Sequence, residues 1–543
     1  MEKDPLRLLS YFEELPKGPR VYFRALAADA DEIVAFGAWC QLTEAGLVRP
    51  DEFDTILGLC RHAAMRSRAF AFFSRRYDYP RAEQVAATPV ADGQPELMRA
   101  VLSHDPARQA VALRTQYFAE ARAAVLAEAG RFADEAEGWA ARTEWLLRAV
   151  VLHPRDELAV SVLAWHLVEA GQRELVLRLH DALKPFANYA HICASIRADV
   201  AWLDRRADDC LAELRRIETE PGPDGKPARL FASGYRLRAQ ALEQKGDYRA
   251  AFANFETMNR LDAPNFGDRL AFLKLADQHN ALDFPAGMPA ARRDHVMMLG
   301  FPRSGTTLLE NALAMHEKVE TFEEIASIDR VEKLLDIARV EKGGIDLAAA
   351  TGAQAAYYDE LARRSKSPAP VKVDKTPIRS ARARLMRHMF PGQRYLFSIR
   401  HPYDVVLSNF KQRYAPNLAM ANFLSLADSV RAYDHVMSAW FASFGLDDPD
   451  VCYLRYDELV TDFRATMGRA LGFIGLDWSE QVLDFAKGAE ARAARTPSYA
   501  KVRSGLGLGV QSTYQNYLFA FAPEERKLLD KWCAHFGYAA PAR

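Results

Sequence analysis

No apolar run in the 543 residues approaches the length needed to cross a bilayer, about 20 residues in a helix. Met1-Glu2-Lys3-Asp4-Pro5 leads into no apolar stretch long enough for a secretion signal, so a cytoplasmic protein that engages no membrane is expected. Cysteine is scarce. The six cysteines (Cys40, Cys60, Cys193, Cys210, Cys452 and Cys533) show no Cys-x-x-Cys spacing, which argues against a metal knuckle or a disulfide framework and suits small buried hydrophobes. An excess of either charge is also missing: 71 basic against 72 acidic residues leave a net charge of −1, so bulk attraction to nucleic acid is not expected. What remains is a globular composition long enough for two to four domains.

A further absence directs the functional reading. Gly300-Phe301-Pro302-Arg303-Ser304-Gly305-Thr306-Thr307 has the form of a phosphate-binding loop, but threonine follows the second glycine where a nucleotide hydrolase carries lysine. The apolar run from His295 to Leu299 reads as a buried strand, and Leu308, Leu309, Ala312 and Leu313 share one face of a helix running to about His316. Strand, tight turn and helix start form an anion cradle in which backbone N–H groups, the helix dipole and the hydroxyls of Ser304, Thr306 and Thr307 converge. A Walker lysine grips β- and γ-phosphates, so its replacement by a hydroxyl suits a shorter 5′ group such as a phosphosulfate. A second element fits the same chemistry. The strand-like run Tyr395–Ile399 ends at Arg400, and Ser408 lies two helical turns further on, a spacing at which a guanidinium fork and a hydroxyl can hold one terminal phosphate.

Together the two motifs resemble those of sulfotransferases that use 3′-phosphoadenosine 5′-phosphosulfate (PAPS). The stretch around Arg303 is most similar to the tyrosylprotein type and to bacterial sulfotransferases that carry tetratricopeptide repeats. The resemblance implies that Pro302, Arg303, Ser304, Gly305, Thr306 and Thr307 hold the 5′ end of the donor and that Arg400 and Ser408 hold its 3′-phosphate. Read without a gap from Arg303, the family's Gly-Glu-Glu acidic pair falls on Glu323-Glu324, which implies Glu324 as the catalytic base, with Glu323 as the alternative. A base is needed because a phenol, with a pKa of about 10, is a poor nucleophile at neutral pH. Lys375, in Asp374-Lys375-Thr376-Pro377, matches the lysine that offsets charge on the leaving group, with Lys372 as an edge-strand surface charge. Tyr456, ending the strand-like Val451–Tyr456 run, matches an aromatic near the adenine, and Gly475 a left-handed helix cap.

A late segment, Arg495 to Gly505, resembles the family's Ser-x-x-Gln-Val pattern: Ser498 carries over as a contact to the transferring group, while Lys501 replaces the glutamine. Ser512-Thr513-Tyr514 stands where repeat-bearing relatives commonly have Gly-Arg-Trp, which removes a cation, and Lys411 and Arg413 flank the position of another family arginine.

Upstream, the chain reads as stacked helical pairs. Ala164, Ala198 and Ala239 can be set in phase; seven residues after each comes a turn position (Gly171, Arg205, Gly246), and twelve after comes a small or aliphatic residue (Val176, Cys210, Ala251). The last copy is similar to the tetratricopeptide pattern. The expected organisation is a helical N-terminal region at 1–99, tetratricopeptide-like repeats at 100–284, and at 285–543 an α/β domain, P-loop-like, in three α/β/α layers with a parallel sheet. The implied function is sulfuryl transfer from PAPS to an acceptor hydroxyl, in a protein or peptide tyrosine, another phenol, a glycan or a small molecule. No metal is implied. The helical half would dock the acceptor or support a homodimer. A P-loop kinase or NTPase and a non-catalytic repeat scaffold are the rival classes; the first needs the missing lysine, and the second would not be expected to keep Arg303, Glu324, Lys375, Arg400 and Ser408 together.

Overall fold

The computed structural model describes residues 5–48, 52–60, 138–154, 157–169, 171–186, 189–219, 229–325, 327–335, 344–485 and 512–541, with single positions at 69, 81, 84 and 85. It divides into two compact units, one comprising residues 1–204 and 219–228, the other 205–218 and 229–543.

The first unit is helical: α1 Pro19–Ala27, α2 Glu32–Glu44, α3 Phe53–Leu59, α4 Gly138–Leu152, α5 Glu157–Glu169, α6 Arg173–Leu183 and α7 Ala190–Leu203. Its core gathers Leu146, Val150, Val160, Leu163, Leu179 and Ile192, and Tyr22 donates its hydroxyl to the Val151 carbonyl at 2.7 Å.

In the second unit come α8 Ala207–Thr219, α9 Ala232–Gln244, α10 Tyr248–Asp262 and α11 Ala271–Asn280 before the sheet. The positions set in phase in the sequence share a local conformation. Gly171, Arg205 and Gly246 are all left-handed, with φ of 68°, 58° and 79°. Val176, Cys210 and Ala251 are completely buried. Glycine takes such a φ at no cost, whereas Arg205 adopts it against its Cβ, so the turn geometry outlasts the residue that favours it.

Five parallel strands follow: β1 His295–Gly300, β2 Val319–Glu323, β3 Val371–Lys375, β4 Arg394–Ile399 and β5 Val451–Arg455, in spatial order β2-β3-β1-β4-β5. Side chains alternate across the sheet, as a strand's period of two requires. Met297, Leu299, Tyr395 and Phe397 face one core, and Val296, Met298, Val373 and Leu396 the other. Helices α14 Leu347–Arg364, α15 Ala383–Met389 and α17 Leu426–Ser443 contribute to the first core; α12 Thr306–Ala314 and α19 Phe463–Ile474 cover the second. Burial of both faces explains why β1 reads as an unbroken apolar run. The expected three-layer α/β architecture with a parallel sheet, preceded by a helical region, is what the chain forms.

The sheet order determines where a ligand can bind. From β1 the chain runs outward to β2 and back to β3, then crosses to β4 on the other side of β1. The order therefore reverses between β1 and β4, and a crevice opens beyond their C-terminal ends. Loop 300–305 leaves β1 at that point, and Arg400 follows β4. The remaining helices are α13 Ser327–Leu334, α16 Pro402–Phe410, α18 Tyr456–Thr461 and α20 Pro523–His535. Gly475 closes α19 in the left-handed conformation, φ 83°, as its sequence context indicates. Lys372 departs from expectation. Strand β3 is paired on both sides and is no edge, and the Lys372 ammonium lies 2.6 Å from Glu320 Oε2 on β2. Among the described residues no helix is long and apolar enough to cross a membrane.

Candidate active site

The loop after β1 is shaped by two glycines that could not be alanine. Gly300 has φ 149°, and a Cβ there would stand 2.7 Å from the Ser398 carbonyl oxygen and 2.8 Å from Ser304 Oγ. Gly305, φ 108°, caps α12, and a Cβ there would stand 2.5 Å from the ring of Tyr456. Side chains from three elements tie the loop's carbonyls: Ser380 Oγ donates to Gly300 at 2.9 Å, Asn409 Nδ2 to Pro302 at 2.8 Å and Ser398 Oγ to Ser304 at 2.9 Å. Ser304, Thr306 and Thr307 are buried at the start of α12. The cradle is thus held from outside, as a preorganised anion site requires.

Arg303 takes a left-handed φ of 73°, a strained conformation for a side chain with a Cβ. From there its Nε donates to Ser408 Oγ on α16 at 3.2 Å. Arg400 reaches the Arg303 carbonyl from Nη1 at 3.5 Å, a marginal bond, and its guanidinium lies 4.9 Å from the Tyr456 ring centre. The structure therefore brings together the two motifs that sequence separates. Burial pulls the Arg303 guanidinium below the ordinary arginine range; Tyr414 opposes this, and the cations of Arg400 and Arg236 add to it. Tyr456, expected near an adenine, packs on Gly305 and Arg400.

Glu323 and Glu324, adjacent in sequence, are placed quite differently. Neither starts a helix: Glu323 ends β2, in register with Lys375 of β3. Lys375 is completely buried, with its Nζ 2.9 Å from Glu323 Oε1, 3.0 Å from Glu310 Oε2 and 3.5 Å from Glu324 Oε1. Glu310 and Glu323 are buried beside it, whereas the Glu324 side chain is 49% exposed. Glu324 also has a left-handed φ of 48° and donates its N–H to the Lys375 carbonyl at 2.8 Å. A strained backbone that lifts one carboxylate out of a buried cluster is the arrangement a base working on an external substrate needs. Lys375 is the last residue of β3. Its head group is fixed by carboxylates, and Pro377 opens a short 3₁₀ turn that follows.

Lys411 and Arg413 are both committed to the helices upstream. Lys411 pairs with Glu243 of α9, and Arg413 Nε lies 2.8 Å from Asp262 Oδ2 at the end of α10. Ser512-Thr513-Tyr514 is fastened to the start of α16: Asp404 accepts from Ser512 Oγ at 2.9 Å and from the Thr513 N–H at 3.0 Å, and the Tyr514 ring stacks on His401. Ser498 and Lys501 lie outside the described residues.

Three contributors escaped the sequence reading. Asn409 bridges the site, donating to Pro302 and accepting from the Tyr414 hydroxyl at 2.7 Å. Burial raises the Tyr414 phenol well above its usual range, with Arg303 lowering it and Glu324 raising it. Glu310 lies seven residues after Arg303, and about one turn into a helix it carried no signal beyond amphipathicity. Among the described residues no group of three or more His, Cys, Asp or Glu side chains is arranged to hold a metal ion.

Part of the chain is similar to known proteins. The Sulfotransferase family profile matches residues 295–480, from the first residue of β1 to just beyond α19. An uncharacterized protein of Aquifex aeolicus (strain VF5) is 28% identical over 331 residues, covering 56% of this chain and 42% of that protein. A protein-tyrosine sulfotransferase of Drosophila melanogaster is 25% identical over 195 residues, 34% of this chain and 38% of its own length. The chain thus spans less than half the length of these two relatives. Among solved structures, the sulfotransferase domain from the curacin biosynthetic pathway is similar over 47% of this chain and 100% of its own, at 15% identity and a TM-score of 0.33. Residues 295–480, which carry the anion loop, Glu324, Lys375, Arg400 and Ser408, are thus similar to the sulfotransferase family.

Proposed function

We propose that the protein transfers a sulfuryl group from PAPS to an acceptor hydroxyl. The observation that carries this reading is the bond from Arg303 to Ser408, with Arg400 beside it, because it joins a 5′-anion cradle to a 3′-phosphate fork at one crevice. The residues fit such a donor. Gly300 and Gly305 let the loop close against Ser398 and Tyr456, two guanidinium groups and the hydroxyls of Ser304, Thr306, Thr307 and Ser408 are at hand, and Tyr456 offers an aromatic face beside Arg400. In this reading Arg400 and Ser408 hold the 3′-phosphate, and Pro302 to Thr307 surround the 5′ end. When bound, the donor supplies an activated sulfuryl group on a phosphate leaving group.

The chain's own part is acid–base and electrostatic. Glu324 takes the acceptor proton as the acceptor oxygen bonds to sulfur and the bond from sulfur to the phosphate oxygen breaks. Lys375 holds Glu323 and Glu324 in place and borders the developing charge, and Ser498 joins it by family resemblance. The protein-tyrosine sulfotransferases among the relatives favour a phenolic acceptor, the tyrosine of a peptide first. The test is to incubate the protein with PAPS and a panel of tyrosine peptides, simple phenols and sugars, following 3′-phosphoadenosine 5′-phosphate release and sulfated product by mass spectrometry, with Glu324→Gln as control. Sulfated product that depends on Glu324 is expected. Phosphorylated product from ATP, or no transfer to any acceptor class, would overturn the reading.

A further inference from the structure

Ser408 and Asn409 are consecutive residues in the last turn of α16, and they grip consecutive residues of the anion loop. Ser408 Oγ accepts from Arg303 Nε at 3.2 Å, and Asn409 Nδ2 donates to the Pro302 carbonyl at 2.8 Å. That carbonyl belongs to the peptide unit entering Arg303, so one bond fixes the plane before the left-handed φ of 73° and the other fixes the side chain beyond it. A residue with a Cβ keeps such a φ only where its surroundings over-determine it, and here two neighbours on one helix do so.

Asn409 is completely buried and fully bonded. Its second N–H donates to the Val405 carbonyl one turn back at 2.9 Å, and its Oδ1 accepts from the Tyr414 hydroxyl at 2.7 Å. Both partners of Nδ2 are carbonyls, which only accept, so the amide can stand only one way round. The other two ties to the loop's carbonyls come from Ser380, in the turn after β3, and Ser398, on β4. Of the three, Asn409 stands on the helix that follows Arg400 and carries Ser408.

The position of Asn409 matters for a ligand with two anionic ends. Two linked groups bind together far more tightly than either alone when their sites are held at the matching distance, and that advantage goes if the geometry loosens, even with each site intact. We propose that Asn409 is a positioning residue that sets the 5′ loop against the 3′ fork, so that the site selects a nucleoside phosphorylated at both ends over either monophosphate. The inference rests on the PAPS reading and deepens it, assigning selectivity for the doubly charged donor to a buried side chain.

The experiment is calorimetric titration of the full chain, directly and by competition, with 3′-phosphoadenosine 5′-phosphate, adenosine 5′-phosphate and adenosine 3′-phosphate, for wild type, Asn409→Ala and Tyr414→Phe. Asn409→Ala is expected to weaken the bisphosphate about tenfold to a hundredfold while each monophosphate stays within about threefold of wild type, since Ser380 and Ser398 still shape the loop and Arg400 and Ser408 still form the fork. Tyr414→Phe, which keeps the ring and frees the amide, carries the same selective loss at about threefold, and it serves as the test should Asn409→Ala fail to fold. Equal losses for all three ligands would reduce Asn409 to general packing, and an unchanged bisphosphate affinity, or a wild type that binds the bisphosphate no better than the monophosphates, would likewise overturn the inference. None of these results touches the donor reading; if wild type binds none of the three ligands, that reading falls and this inference with it.

Discussion

Arg303 and Ser408, 105 residues apart in the chain, are joined by an Nε–H···Oγ bond of 3.2 Å. Two folding decisions make it possible. The left-handed backbone at Arg303 turns its side chain back from the loop, and the parallel pairing of β1 with β4 brings α16, with Ser408 and Asn409 in its last turn, beside that loop. Because the pair connects the 5′ and 3′ ends of the proposed donor site, the site's integrity is testable from either end, and its neighbours carry separate expectations.

The exposed Glu324, not the buried Glu323, is expected to move the acceptor proton. Glu324→Gln should lower kcat by roughly 10²- to 10⁴-fold while leaving affinity for 3′-phosphoadenosine 5′-phosphate nearly unchanged. Steady-state kinetics beside calorimetry would check both halves; undiminished turnover removes Glu324 from the mechanism.

Lys375 is as much a structural residue as a catalytic one. Replacing it by methionine would leave Glu310 and Glu323 buried without their ammonium partner, an arrangement that typically costs about 3–5 kcal/mol. Urea denaturation should show that loss, and adding Glu310→Gln to Lys375→Met should restore part of it. An undiminished unfolding midpoint in the single variant would mean that the cluster relaxes or takes in water.

At Gly305 space and backbone conformation act together. Gly305→Ala meets the Tyr456 ring at 2.5 Å and must hold φ 108°, so weaker bisphosphate binding and a lower Tm are expected. Adding Tyr456→Ala relieves only the clash. Partial recovery of Tm without recovery of binding is therefore expected from the double variant, and full recovery of both would show that the backbone conformation costs nothing.

Asp374, beside Lys375 on β3, gives the fold a pH dependence. Burial raises its carboxyl from 3.8 to about 6, against the hydrogen bond that Ser327 Oγ donates at 2.6 Å. The folded state then binds the proton more tightly than the unfolded chain, so this residue's contribution to stability is lost as pH rises from about 4 to 6. Asp374→Asn keeps an acceptor for Ser327 and removes the titration. Its stability relative to wild type should rise across that window; a difference that stays flat with pH would contradict the assignment.

The anion loop and the Arg400 fork were legible in the sequence because each is local. A glycine turn between a strand and a helix, and an arginine at a strand end, declare themselves within a dozen residues. The contacts that position them were not legible, because they depend on strand order. Glu310 reaches Lys375 only since α12 packs across the end of β3, and Asn409 meets Pro302 only since β4 lies beside β1. Lys411 and Arg413 illustrate the same limit: as sequence they were free cations near Ser408, and in the fold they are the anchors of α9 and α10. The edge-strand reading of Lys372 failed for the same reason, since an inner and an outer strand of this length share one pattern.

The most direct test of the account is calorimetric binding, without magnesium, of 3′-phosphoadenosine 5′-phosphate and of ATP to wild type and Arg400→Ala. Tight binding of the bisphosphate, little of ATP and loss in the variant are the results expected if Arg303, Arg400 and Ser408 form one donor site. A preference for ATP, or bisphosphate affinity that survives Arg400→Ala, would contradict it.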